Sequence, residues 1–389
     1  MPRILGLAAA LLLTWPAQAA APADPAALAA ASPLTREALA RLRADVDTLH
    51  DPALKAATAD ALFNPATCVA HRAHLTDADR QAIADRLVAE GLADPADTPE
   101  GLIAGLFPAL PGDGGPCPHL PQPLAAAPGG NAGSHHSWPG GLAVHEAFNA
   151  QSARDFAAAY RTLDGADLDG QDDLITAAPL WHDWAKALLF VWRPDGGLPP
   201  EISLGGHGDA GDFRTGAHHI LGLAEAMARR LPADLIIVQA CAHQAPERGR
   251  PDRLVHWLRA AAIIARVDPV AAGYLATAPS GGLTLPGLAA GAEPMATAVP
   301  RWWSACLIHA QSDHNWVYAE PAIEDADALL RQLAPRFGID TANPAQYAWS
   351  YRHPVLSRLG AARIQSLAAR GGLEAVAQAL IPMRAQGVF

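Results

Sequence analysis

From residue 141 to 275 the chain repeats one pattern: an apolar run at helical spacing with a histidine or a carboxylate on its inner face. The runs cover 141–160, 174–191, 217–231, 233–243 and 253–274. They carry His145, the adjacent His182 and Asp183, the adjacent His218 and His219, then His243, and finally Asp268. In the last run Trp257, Ala261, Ile264 and Asp268 share one face if a single helix passes through all of them. A carboxylate or imidazole turned toward a core is costly unless it is paired or bound to a metal. A fold that packs these runs must therefore gather their polar groups in one place.

The rest of the chain favours the same architecture. Half of the residues are hydrophobic. Ala is abundant, β-branched residues are sparse, and no stretch alternates as a strand does, so an all-α fold is expected. Residues 1–19 have the layout of a secretory signal peptide. Arg3 precedes the apolar run Leu5 to Leu13, Pro16 breaks it, and Ala17-Gln18-Ala19 reads as the cleavage site. Export, most simply to a periplasm, is the expectation, with no membrane contact after cleavage. Residues 20–130 read as a helical extension that ends in a long Pro- and Gly-rich loop, 131–275 as the core, and 276–389 as a second helical extension. Thr76 to Asp79 has the form of a capped helix start.

Several function classes drop out. The net charge of −11 leaves no basic surface for nucleic acid. No Gly-x-Ser-x-Gly elbow and no Walker loop is present. The four cysteines, Cys68, Cys117, Cys241 and Cys306, form no CxxC pair. In an exported chain Cys68 and Cys117 could bridge, with four free buried thiols as the alternative. Any metal must then be held by His and carboxylate, which suit divalent ions. Mn, Fe, Zn, Co, Ni and Mg are all compatible, and two ions are expected. Lys186 falls on the same side of its helix as His182 and Asp183, where it could meet an anionic substrate group.

The ordered set resembles the HD-domain superfamily of metal-dependent phosphohydrolases over about residues 131 to 275. His145 follows Gly140-Gly141-Leu142-Ala143-Val144, His182-Asp183-Trp184-Ala185-Lys186 matches the His-Asp-x-x-Lys core, and His218 precedes Gly222 as in that family's helix start. His243 matches the next His, and Asp268 in Ala265-Arg266-Val267-Asp268 the closing Asp. The resemblance implies an HD-domain helical core. It gives His145, His182, Asp183 and Asp268 to one ion, and Asp183, His218 and His243 to a second. It also implies Lys186 on phosphate, and hydrolysis of a small-molecule phosphate ester by a metal-bound hydroxide with Asp183 or Asp268 orienting the water. His219 fits the third position as loosely as His218 does. A di-iron oxygenase and a non-catalytic metal-binding module of the cell envelope are the alternatives.

Three further groups are candidates. His135 and His136 precede the Gly-Gly-Leu segment and could contact substrate phosphate, and His207, in a Gly-rich loop, could cover the site. In the tail His309, Asp313 and His314 have near-helical spacing. They could add a metal or substrate group, although such a cluster is more often a solvated face.

Overall fold

The structure is a computed structural model. It describes residues 24–96, 101–131, 133–206, 213–246, 252–279, 281–288 and 299–389. The segment read as a signal peptide and His207 lie outside the described residues.

The fold is all-α. Strand is confined, among the described residues, to two short antiparallel ribbons, Ser203–Leu204 with Thr215–Gly216 and Ala276–Thr277 with Leu283–Thr284. No helix among the described residues is long and apolar enough to cross a membrane.

Local chemistry starts the N-terminal helices. Pro25–Ala31, Pro33–Asp47 and Pro52–Phe63 each open on a proline, with Asp24, Ser32 and Asp51 accepting from the free N–H groups of the first turn. Asp77–Ala89 opens on the capping box of Thr76 and Asp79.

The central helices are Gly141–Leu163, Asp172–Trp181, Ala217–Ala228, Ala233–Ala240 and Asp252–Ala265. They pack into one apolar cluster that also takes in Leu42, Leu87 and, from the tail, Ile308. Trp181, Trp184 and Trp257 are fully buried in it, each worth roughly 3 kcal/mol or more of apolar burial. Helix Trp303–Asp313 packs against Gly141–Leu163, Asp172–Trp181 and Ala233–Ala240. A second cluster joins Trp138 to the tail helices Trp316–Leu333, His353–Leu359 and Ala361–Ala385. Arg352 ties the two together by donating to the Ser137 carbonyl and hydroxyl.

Two disulfides form, Cys68–Cys117 and Cys241–Cys306, and among the described residues no cysteine is free. The first is the bridge that the spacing allowed. The second joins residues 65 apart in sequence, and it fastens the end of helix Ala233–Ala240 to helix Trp303–Asp313.

Two expected helices are shorter than their apolar patterns. The run through His182 breaks there: Asp172–Trp181 ends, 182–185 is a turn, and Lys186–Leu189 resumes. The N–H of Lys186 bonds the Asp183 carbonyl, and that of Ala187 the Trp184 carbonyl. This is 3₁₀ spacing, which eclipses residues three apart. The run expected to reach residue 274 stops at Ala265, because Arg266 turns left-handed at φ 58° and Pro269 follows.

Candidate metal centre

Helix Gly141–Leu163 delivers His145, and the Trp181–Lys186 turn delivers His182, Asp183 and Lys186. Helix Ala217–Ala228 delivers His218 at its start, and His243 follows helix Ala233–Ala240. Gly222 lets this packing close, since a Cβ there would sit 3.2 Å from the His182 carbonyl.

These side chains meet. His145 Nε2 lies 3.0 Å from Asp183 Oδ2, His182 Nε2 3.2 Å from the same oxygen, and His218 Nε2 3.3 Å from Asp183 Oδ1. A second carboxylate, Asp313, stands opposite. Its Oδ1 is 3.1 Å from His182 Nε2 and 3.3 Å from His145 Nε2, and its Oδ2 is 3.8 Å from His243 Nε2. Asn149 Nδ2 donates to Asp313 at 3.0 Å.

The outer nitrogens of three of these rings are tied down. His182 Nδ1 donates to the Pro179 carbonyl at 2.8 Å, and His218 Nδ1 to Glu201 at 2.6 Å. Both partners can only accept, so Nδ1 carries a proton and Nε2 is the nitrogen turned to the centre. His243 Nδ1 is 2.9 Å from the Thr215 hydroxyl. Outer partners of this kind orient metal-binding imidazoles. Glu201 leads into the short ribbon 203–204/215–216 and Thr215 belongs to it, so that ribbon aligns two of the rings.

The electrostatics fit a cation. Burial alone would raise the Asp183 carboxyl, but the charges of His182 and Lys186 outweigh it and hold it well below the usual range. Asp313 is likewise held down against burial by His182 and His145. Burial would lower His182, yet Asp183, Glu146 and Asp313 raise it well above an ordinary imidazole. Both oxygens of Asp183 are buried, and Oδ2 is crowded by His145, His182 and Lys186 while Oδ1 faces His218. Buried polar atoms are normally satisfied. Crowded imidazoles and carboxylates left in this state could hold metal ions. The groupings His145–His182–Asp313 and Asp183–His218–His243 each bring their ligand atoms within 4.8 Å of one another.

Lys186 Nζ contacts Asp183 Oδ2 and donates to the Gly129 carbonyl at 2.5 Å. The eclipsed turn explains that contact. The centre forms the floor of a cleft of about 320 Å³, walled by Asn131, Ser134, His135, Phe190 and the half-exposed Trp316.

His135 and His136 come against His145, with ring centroids 4.6 and 5.5 Å away. Burial, with His145 and Lys186 nearby, pushes both imidazoles far down, so neither carries charge with which to clamp a phosphate. His218 joins the centre. His219 does not: its ring stacks on His243 at 4.3 Å and its nitrogens have no partner.

Asp268 is the correction. It is exposed, its carboxylate accepts from the Val270 and Ala271 N–H groups, and it lines a separate groove of about 740 Å³. The helix that would have turned it inward ends before it. Asp313 holds the place expected for Asp268. Sequence reasoning grouped Asp313 with His309 and His314 at helical spacing but had no signal for where that helix packs. His309 is buried behind the centre, donating to the Val238 carbonyl at 2.8 Å, while His314 borders the cleft. Glu201 and Asn149 carried no recognisable pattern.

The chain matches no protein-family model, no curated protein and no solved structure.

Proposed function

We propose that the chain is an exported phosphohydrolase of the HD type that uses two divalent ions to cleave the phosphate ester of a small molecule. One observation carries the reading. Four imidazole Nε2 atoms and two carboxylates converge at the floor of a cleft, with a lysine beside them. His145, His182, Asp183 and Asp313 would hold one ion, and Asp183, His218 and His243 the other. Such ions supply Lewis acidity and make water in the site acidic enough to react near neutral pH.

The protein's own groups do the positioning. Lys186 offers a fixed positive charge to the ester oxygens. Pro179 and Glu201 keep a proton on Nδ1 of two rings, and Thr215 steadies the orientation of a third. Trp181 and Trp184 exclude water behind the centre. The cleft volume suits a small ligand. Two disulfides agree with an oxidising compartment.

The test combines elemental analysis of purified protein with a phosphate-ester screen. About two first-row ions per chain and turnover of at least one ester class are expected. Lys186→Ala should keep the ions and lower kcat/KM by about 10²–10³. A metal-loaded protein that turns over no phosphate ester would end the hydrolase reading, and a predominance of iron would move the enquiry to oxygen chemistry.

A further inference from the structure

His135 and His136 are built into place more firmly than a substrate contact requires. His136 stands at φ 53°, a left-handed conformation that costs a non-glycine residue energy and persists only where its surroundings enforce it. The enforcement is visible. The His136 carbonyl accepts from the Gly129 N–H at 3.0 Å and the Trp138 N–H at 2.9 Å. Gly141 lets that carbonyl press on the helix start, where any Cβ would collide with it.

The strained turn sets three imidazoles together. His135 Nδ1 and His136 Nδ1 are 3.3 Å apart. One nitrogen from each of His135, His136 and His145 lies within 4.8 Å of the other two. His145 faces the carboxylates through Nε2. Its Nδ1 is buried without a partner, unlike the outer nitrogens of His182, His218 and His243. An unpartnered ring nitrogen beside two more imidazoles makes a donor set that could hold a cation.

We infer that His135, His136 and the free nitrogen of His145 form a third cation site, beyond the two-ion centre, for a borderline first-row ion such as Zn²⁺, Co²⁺ or Ni²⁺. Three imidazole nitrogen donors suit such ions and are poor ligands for Mg²⁺ or Ca²⁺. With ions on both sides, His145 bridges them as an imidazolate, and its ring proton passes to solvent. The bridging imidazolate is the one negative charge among these ligands, so the third ion keeps a net positive charge at the edge of the cleft that His135 lines.

The experiment strips the purified chain of metal, reloads it with Co²⁺ or Zn²⁺, and counts bound ions in wild type, His135→Ala, His136→Gly and Asp183→Ala. His136→Gly also removes the backbone strain, so its melting temperature should not fall; this guards against a misfolded variant. Each histidine variant should bind one ion fewer than wild type. Asp183→Ala should lose the carboxylate-held ions and keep one. The difference between variants carries the test, so it is separable from failure of the two-ion or hydrolase readings. Histidine variants that keep the wild-type count, even if they bind inorganic phosphate less well, would overturn the third site and return these residues to substrate contact.

Discussion

Replacing Asp313 by Asn separates the observed centre from the one that the sequence pattern implied. The substitution keeps the size of the side chain and an oxygen for Asn149, and removes one negative charge. That charge lies 3.1 Å from His182 Nε2 and 3.3 Å from His145 Nε2, so it faces any ion these rings hold. At an effective dielectric of 20, unit charges about 4 Å apart interact by about 4 kcal/mol. At 1.4 kcal/mol per decade this is roughly a thousandfold in Kd. Asp268→Asn is the control. Its carboxylate is exposed and serves only a turn, so metal affinity should stay within about twofold. Competition against a chelator of known affinity, with Zn²⁺ or Co²⁺, reads both. An Asp313→Asn protein within about tenfold of wild type, on that same dielectric estimate, would refute the reasoning, as would loss of metal in Asp268→Asn.

Glu201→Gln should weaken metal binding by about 10–100-fold with little change in the far-UV spectrum, because it replaces the acceptor that holds His218 in its tautomer; titration of the variant checks this. Glu225 concerns stability rather than metal. Burial would raise its carboxyl, but hydrogen bonds from His71 and the charge of Arg229 bring it from 4.5 down to about 2. A depressed carboxyl stabilises the fold at pH above its unfolded value, and the contribution is lost as pH falls from about 4.5 to 2, here about 3 kcal/mol. Melting temperature against pH should therefore fall less steeply on the acid side in Glu225→Gln than in wild type; parallel curves would contradict the assignment. Removing the Cys241–Cys306 bridge by paired Ser substitution reopens a loop of 65 residues, worth about 4 kcal/mol on the loop-entropy account. A lower melting temperature and weaker metal retention are expected together, since the bridge holds the helix of Asp313.

The helical class and most of the centre were legible because their signals are local. Apolar periodicity located the helices of His145 and His218, and the adjacent His182 and Asp183 marked the centre, although the turn that carries them was read as helix. Asp268 failed for a reason that was also local: a continuous helix was drawn through a residue followed by Pro269, where helical backbone is disfavoured. Asp313 could not be assigned, because its place depends on helix Trp303–Asp313 packing against helices more than sixty residues earlier in the chain. Cysteine spacing does not reveal connectivity, so the bridge from Cys306 gave no guide. Glu201 sits in irregular chain, where no period distinguishes an inward carboxylate from a solvated one.

The two-rung ribbon of Ser203–Leu204 and Thr215–Gly216 separates two tasks. One stem leads from Glu201, the other begins at Thr215, and both steady histidines of the centre. The connection between the stems is anchored at both ends by this ladder. Doubling the length of such a connection costs only about 0.6 kcal/mol in closure entropy. A lineage could therefore change the length of this connection while the paired strands, and the histidines they align, stay where they are.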